Sequence, residues 1–145
     1  GVMFSKTCEY AIRAMIFIAQ KTREGDRIGI KDIARGIDSP EHFIAKILQE
    51  LSRKGIVQSA KGPNGGFYLD NVSMNRSLAD IVRAVDGDKI FQGCGLGLRQ
   101  CSESQPCPIH HEFKKIRLGL FEMLDSSKVG AFTDALEGSM AFLKR

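Results

Sequence analysis

Ile56-Val57-Gln58-Ser59-Ala60, Lys61-Gly62-Pro63-Asn64-Gly65-Gly66 and Phe67-Tyr68-Leu69 follow one another without a break. The outer two runs are strand-like. The hexapeptide between them is a tight turn, because Asn-Gly flanked by such runs is a strong hairpin signal. It lacks the Gly-Lys-Ser/Thr ending and the following helix of a phosphate-cradling P-loop. A basic residue, Lys61, stands at the base of the turn.

The chain upstream gives the hairpin its meaning. Ser39 suits an N-cap and Pro40 a first helical position. The spacing predicts a helix from about Pro40 to Lys54, ended by Gly55. Ile44, Ile47, Leu48 and Leu51 form its apolar face, and His42, Lys46, Gln49 and Arg53 a polar face at steps of three and four. Lys31 to Gly36 fits a shorter helix, with Ile33 and Ala34 inward. Two helices joined by a short turn, the second with a basic outer face, make a helix-turn-helix. A hairpin placed directly after it is a wing, whose backbone N–H groups and Lys61 can lie against phosphates. His42, Phe43, Lys46 and Gln49 are the candidates for base edges, and Arg53, Lys61, Gly62, Gly65 and Gly66 complete the candidate DNA surface.

Before this module, Ser5 to Arg23 reads as a helix with Cys8, Ala11, Ile12, Met15, Ile16 and Ala19 on one stripe. Ser5 is its N-cap and Glu24-Gly25-Asp26 its stop; Arg27 to Ile30 is a short strand. After it, Ser77 to Val85 is a helix with a capping box at Ser77 and Asp80, stopped by Asp86-Gly87-Asp88. From Pro108 to about Leu124, Ile109, Phe113, Ile116, Leu120 and Met123 form a heptad seam, and Leu118, Phe121 and Leu124 a second apolar surface. Two apolar surfaces need two partners: the chain's own body and the same helix of a second subunit. Ser126 or Ser127 caps a last helix, about Lys128 to Leu143, with Phe132, Leu136, Met140 and Leu143 on one side. The organisation is thus a DNA-binding unit over 1–90, a cysteine-rich loop over 91–107 and a dimerisation and C-terminal helical part over 108–145. The fold class is mainly α: a winged helix-turn-helix with a small hairpin wing and a long C-terminal dimerisation helix.

The 145 residues contain 43% hydrophobic and 26% charged side chains, those of a globular protein. The net charge of +4 points only weakly to nucleic acid; the cluster Lys46, Arg53, Lys54 and Lys61 points there more directly. The longest near-apolar run, Ala14 to Ala19, falls far short of the roughly 18 residues of a membrane span, and no signal-peptide layout is seen. A cytoplasmic location follows as an expectation, and there clustered cysteines bind metal or respond to redox state rather than form structural disulfides.

Those cysteines are Cys94, Cys101 and Cys107, with His110 and His111 just beyond. Two-residue gaps, the common zinc-knuckle spacing, are absent; the longer gaps wrap around something wider than one ion, an iron–sulfur cluster. Cys107 precedes the long helix, whose dipole favours the thiolate. His110 lies three residues on and can supply a fourth ligand; His111 points away from that face. Glu9 and Cys8, on the first helix, are the other candidates, with Cys8 better read as core. A nitrogen or carboxylate ligand among thiolates makes a cluster more labile. Zn²⁺ in a Cys₃His site, or thiols that oxidise to a disulfide switch, are the competing readings, and a small redox electron carrier the competing class. Against an enzyme or carrier, there is no second cofactor motif and no Cys-x-x-Cys.

Ser5-Lys6 with Glu9-Tyr10-Ala11, Ile30-x-Asp32-Ile33-Ala34, Ile47-Leu48-x-x-Leu51-x-x-x-Gly55-Ile56-Val57, Lys61-Gly62-Pro63-x-Gly65-Gly66-Phe67-x-Leu69 and the three-cysteine loop together resemble the iron–sulfur cluster regulator family, which includes the regulator of cluster biogenesis and the nitric-oxide-sensing repressor. The resemblance spans nearly the whole chain. It implies a homodimeric regulator, a repressor, acting on a near-palindromic operator in double-stranded DNA. It also implies a two-iron or four-iron cluster (2Fe-2S or 4Fe-4S) on Cys94, Cys101 and Cys107. The fourth ligand would be His110, as in the biogenesis regulator, or Glu9 of the other subunit, as in the nitric-oxide sensor. The chain departs from the family in its first cysteine gap, six residues where five is usual.

Overall fold

The computed structural model describes residues 4–92, 96, 103–132 and 143. Helix α1 spans Lys6–Arg23, α2 Ile30–Ile37 and α3 Glu41–Arg53. Strands β1 (Gln58–Ala60) and β2 (Gly66–Tyr68) pair antiparallel, Ser59 opposite Phe67. The short helix α4 (Asn71–Met74), α5 (Leu78–Asp86) and the short α6 (Lys89–Gln92) follow, then α7 (His110–Ser126) and a 3₁₀ turn, Val129–Phe132. The helix-turn-helix, the hairpin wing and the long C-terminal helix are therefore all present.

Helix α1 is the centre. Ser5 caps it, its side chain accepting from the Cys8 N–H. Cys8, Ala11, Ala14, Met15, Ile18 and Ala19 are wholly buried, and α2, α3, α5 and the 3₁₀ turn all pack on it. Ile33, Ile37, Ile44, Leu48, Leu51, Ile81 and Val82 complete one continuous core that also takes in Leu124 of α7. The predicted capping box is formed: Ser77 and Asp80 exchange side-chain bonds with each other's N–H.

Several boundaries differ from the sequence-based expectations, and α6 has no expected counterpart. Arg27 to Ile30 is not a strand. Ile28 alone pairs, in an isolated bridge to Phe67, because Ile30 already begins α2. Ser39 does not cap α3. Its N–H bonds the Ala34 carbonyl behind a left-handed Asp38 (φ 55°), so it closes α2, and Pro40 holds the N-cap position. Helix α4, capped by Asp70 on the Ser73 N–H, has no expected counterpart. The last helix does not begin at Lys128: Ser127 and Val129 bond Leu78 and Arg76 through the backbone, and Lys128 bridges Ser77 alongside the start of α5 before the 3₁₀ turn opens at Val129. Leu136 and Met140 lie outside the described residues, while Leu143 packs on the core and its carbonyl accepts from Arg13 Nε.

The apolar residues of α7 divide between the body and the open side, though not along the two surfaces that the spacing gives. Leu120, Phe121 and Leu124 face the body, so Leu120 leaves the seam. Ile116 is 67% exposed and Met123 51%, with Ile109 and Leu118 also open; Leu118 thus leaves the body-facing surface on which the spacing places it. Helix α6 is clipped between α5 and α7 by Arg83, whose guanidinium lies 5.3 Å from the Phe91 ring and 5.0 Å from Phe121. Asp88 accepts from Arg83 Nε at 2.9 Å, and the two rings meet edge to face.

At the wing, Gly66 has φ 140°, and an added Cβ would lie 2.8–2.9 Å from the Ile28 backbone that pairs with Phe67. Gly62, also at positive φ, has open space. Gly66→Ala is expected to cost about 2 kcal/mol or more in urea unfolding, from strain plus the lost bridge, and Gly62→Ala clearly less. Equal losses for the two would show that the Ile28 approach does not constrain the wing.

Candidate nucleic-acid interface and metal centre

Helix α3 buries Ile44, Ile47, Leu48 and Leu51. At 100° per residue the opposite face carries His42, Gln49, Arg53 and Lys46, and all four are exposed. Phe43 lies on the flank. It is 45% exposed, packs against His42 and Tyr10, and lines a groove with Thr7, Ala84 and Val85. Gln49 and Arg53 face a second groove toward Ser59 and Phe67 of the wing, so helix and wing present one surface. Arg53 is ion-paired with Glu50, and that guanidinium holds the Glu50 carboxyl below the usual range. Lys61, Gly62, Pro63 and Asn64 are exposed at the tip, whereas Gly65 and Gly66 are half-buried. A Cβ on Gly65 would sit 2.2 Å from the Ala60 carbonyl oxygen; its role is to let the hairpin close. Arg27, stacked 5.2 Å from the Tyr68 ring, adds a cation beside the wing. The bridge of neighbouring Ile28 to Phe67 brings it there, and no sequence motif marks it.

The second candidate site lies at the head of α7. Cys107 is buried, and its carbonyl accepts from the His110 N–H at 3.0 Å. His110 is only 7% exposed. Cys94 and Cys101 lie outside the described residues. Glu103, not foreseen from spacing, brings a carboxylate oxygen to 3.6 Å from His110 Nε2 and pairs with Lys114. Its bond to Lys114 holds the carboxyl below the usual carboxylate range, with His110 adding to the effect. Glu9 stands apart from this group on α1, 3.6 Å from Lys6. Cys8 is core: burial, reinforced by Asp86, pushes its thiol up to about 12. A buried sulfur and an imidazole one turn apart at a helix N-terminus fit the donor chemistry of a metal or iron–sulfur group. Among the described residues no helix is long and apolar enough to cross a membrane.

A helix-turn-helix followed by a two-stranded wing and a long C-terminal helix defines the class of winged-helix regulators. Within it, the pattern of the Rrf2 family, described as an iron-dependent transcriptional regulator, matches residues 4–135. The chain belongs to the Rrf2 family and is a transcription regulator, not an enzyme. It is 33% identical over 119 residues to a putative HTH-type transcriptional regulator of Aquifex aeolicus, covering 80% of this chain and 81% of that one. It is 27% identical over 118 residues to the HTH-type transcriptional regulator NsrR of Bacillus licheniformis, covering 81% and 82%. The solved structure of T. potens IscR superposes with a TM-score of 0.72 at 25% identity, over 97% of this chain and 96% of that one.

The Cys8 thiol makes a direct prediction. A thiol whose acidity is weaker in the folded than in the unfolded chain contributes no pH dependence below about pH 9 and progressively destabilises the fold as pH rises from about 9 toward 12. At pH 8, iodoacetamide should leave Cys8 unmodified in the native protein and alkylate it fully in urea, read by peptide mass spectrometry. Native modification of Cys8 would place it outside the core.

Proposed function

We propose that two copies of the chain pair through α7 and bind double-stranded DNA as a repressor at a near-palindromic operator. In this reading residues 1–90 read DNA, 91–107 carry the sensing loop and 108–145 assemble the dimer. The exposed Ile109, Ile116 and Met123 are the surface a second α7 would cover. Each α3 enters a major groove, in half-sites roughly 10 bp apart or a multiple of it. His42 and Gln49 approach base edges, while Lys46, Arg53, Lys61 and the Gly62 to Gly66 turn track phosphates. Phe43, on the flank toward α1 and α5, supports His42. A cytoplasmic site of action accompanies this role.

We further infer that Cys94, Cys101, Cys107 and His110 hold an iron–sulfur cluster, of the 2Fe-2S or 4Fe-4S type, which when bound supplies sensitivity to iron, oxidant or nitric oxide. The single observation that carries this is the burial of Cys107, just before α7, together with His110, the first residue of that helix, whose N–H donates to the Cys107 carbonyl. Glu9 is the alternative fourth ligand, and zinc the alternative metal. A contiguous route joins this turn to the DNA surface. Helix α7 packs on α5 and α6; Asp86, ending α5, accepts from the Ser5 N–H at 3.0 Å; and α1, which begins there, carries α3. Residues 93–107 changing partners at Cys107 and His110 would shift α7 against α5 and alter the spacing of the two α3 helices.

Anaerobically purified protein should be brown, and Cys107→Ser should abolish the visible charge-transfer absorption. Colourless protein with stoichiometric zinc, not replaced on iron and sulfide reconstitution, would reject the cluster. Gel shifts across operator variants separate the DNA roles. Gln49→Ala should relax preference at one base pair, by about 1–3 kcal/mol, whereas Lys61→Ala should weaken all sequences alike and reduce the salt slope by about 1. Unchanged binding in both variants would remove α3 and the wing from the interface.

A further inference from the structure

Glu103, His110 and His111 each bring one donor atom, a carboxylate oxygen and two ring nitrogens, within 4.8 Å of one another. We propose that these three side chains form a binding site for one divalent first-row cation, distinct from the thiolate donors. Two imidazoles and one carboxylate are the set used by zinc and by non-haem iron(II), with remaining positions open to water. The set contains no sulfur, so it takes a single ion rather than a cluster.

The geometry is close to what such an ion needs. Metal–ligand bonds of about 2.1 Å in a tetrahedron put donors roughly 3.4 Å apart. Glu103 and His110 Nε2 already stand at 3.6 Å, and the third donor, within 4.8 Å of the others, has roughly 1.4 Å or less to close. His110 is held by burial, while Glu103 and His111 are exposed and can swing onto the ion. The rings of His110 and His111 meet edge to face with centroids 5.2 Å apart, which keeps His111 beside the site. Two charges oppose a cation here. The positive end of α7 is one, and the Glu103 carboxylate offsets it. Lys114, now paired with Glu103, is the other, and it yields its place to the divalent ion, which carries twice its charge at shorter range.

The consequence is mechanical. Glu103 belongs to the segment before Cys107, and His110 and His111 to the first turn of α7. A bound ion would therefore fasten this segment to the long helix more firmly than the Glu103–Lys114 pair does. Because His110 is also a candidate cluster ligand, ion and cluster would exclude one another; this one consequence rests on the cluster reading above.

The test uses the full chain carrying Cys94→Ser and Cys101→Ser, which cannot assemble a cluster but keeps the buried Cys107. Zn²⁺ titrated by calorimetry should bind with one equivalent per chain. Co²⁺ should give weak ligand-field bands without thiolate charge transfer. Glu103→Gln and His111→Ala, added singly, should each weaken Zn²⁺ binding by at least the roughly 10–100-fold that loss of an outer-shell partner costs a metal site. The proposal is overturned by absence of binding, by strong thiolate-to-cobalt charge transfer, or by affinities unchanged in both added variants. In the chain with all cysteines present, Glu103→Gln and His111→Ala should still reconstitute a full cluster. A cluster that fails to form in the unaltered protein would reject the cluster reading and leave the ion site standing.

Discussion

Everything in this molecule is arranged around the burial of α1. Its alanines, Ala11, Ala14 and Ala19, have no exposed surface, and small side chains let neighbouring helices approach closely. Met15 and Ile18 fill the space between, each contributing roughly 1.5–3 kcal/mol by leaving water. A helix enclosed on so many sides cannot shift without moving its neighbours, since a close-packed interior transmits displacement instead of absorbing it. Both ends are also fastened. Thr22 Oγ1 accepts from the Leu69 N–H next to the wing, and Ser5 is bonded to Asp86 at the end of α5. Helix α1 therefore joins the DNA-facing surface to the elements that lead into the cysteine segment.

The two candidate sites differ in physical character, and that difference suits the tasks proposed for them. The α3 and wing surface is exposed and basic, with long side chains that keep their hydration until a charged polymer displaces it. The head of α7 is the reverse: Cys107 and His110 are withdrawn from water, where ligand bonds are stronger and less exposed to competition. Arg83 packs against the rings of both Phe91 and Phe121 and is bonded to Asp88. This contact fixes α6 against both α5 and α7 at the point where the chain departs toward its cysteines.

Much of this was legible in local sequence. Helix periodicity placed the cores of α1, α3 and α5, because 3.6-residue spacing is a property of the helix itself. The Ser77–Asp80 capping box and the Gly-Pro-Asn-Gly-Gly turn were readable for the same reason: each is completed within a few residues. Ser39 was misread as a cap because the competing bond, from its N–H to the Ala34 carbonyl, depends on how α2 ends. The last helix does not start at Lys128, as its spacing suggests, because residues 127–129 bond to 76–78, partners some fifty positions away that no local window contains.

By itself, then, the sequence determined the helices α1, α3, α5 and α7, the order of the winged helix-turn-helix and the identity of the soft and imidazole donors. Tertiary structure decided which of these donors meet. It turned Phe43 to the flank, set Arg27 beside the wing and brought Glu103 to His110 and His111. The physical reason is the range of the forces involved. Periodicity, capping and turn chemistry act over one or two turns of chain and are written in neighbouring letters. Burial and convergence of donors depend on how whole elements pack, and that is settled only when the core around α1 closes.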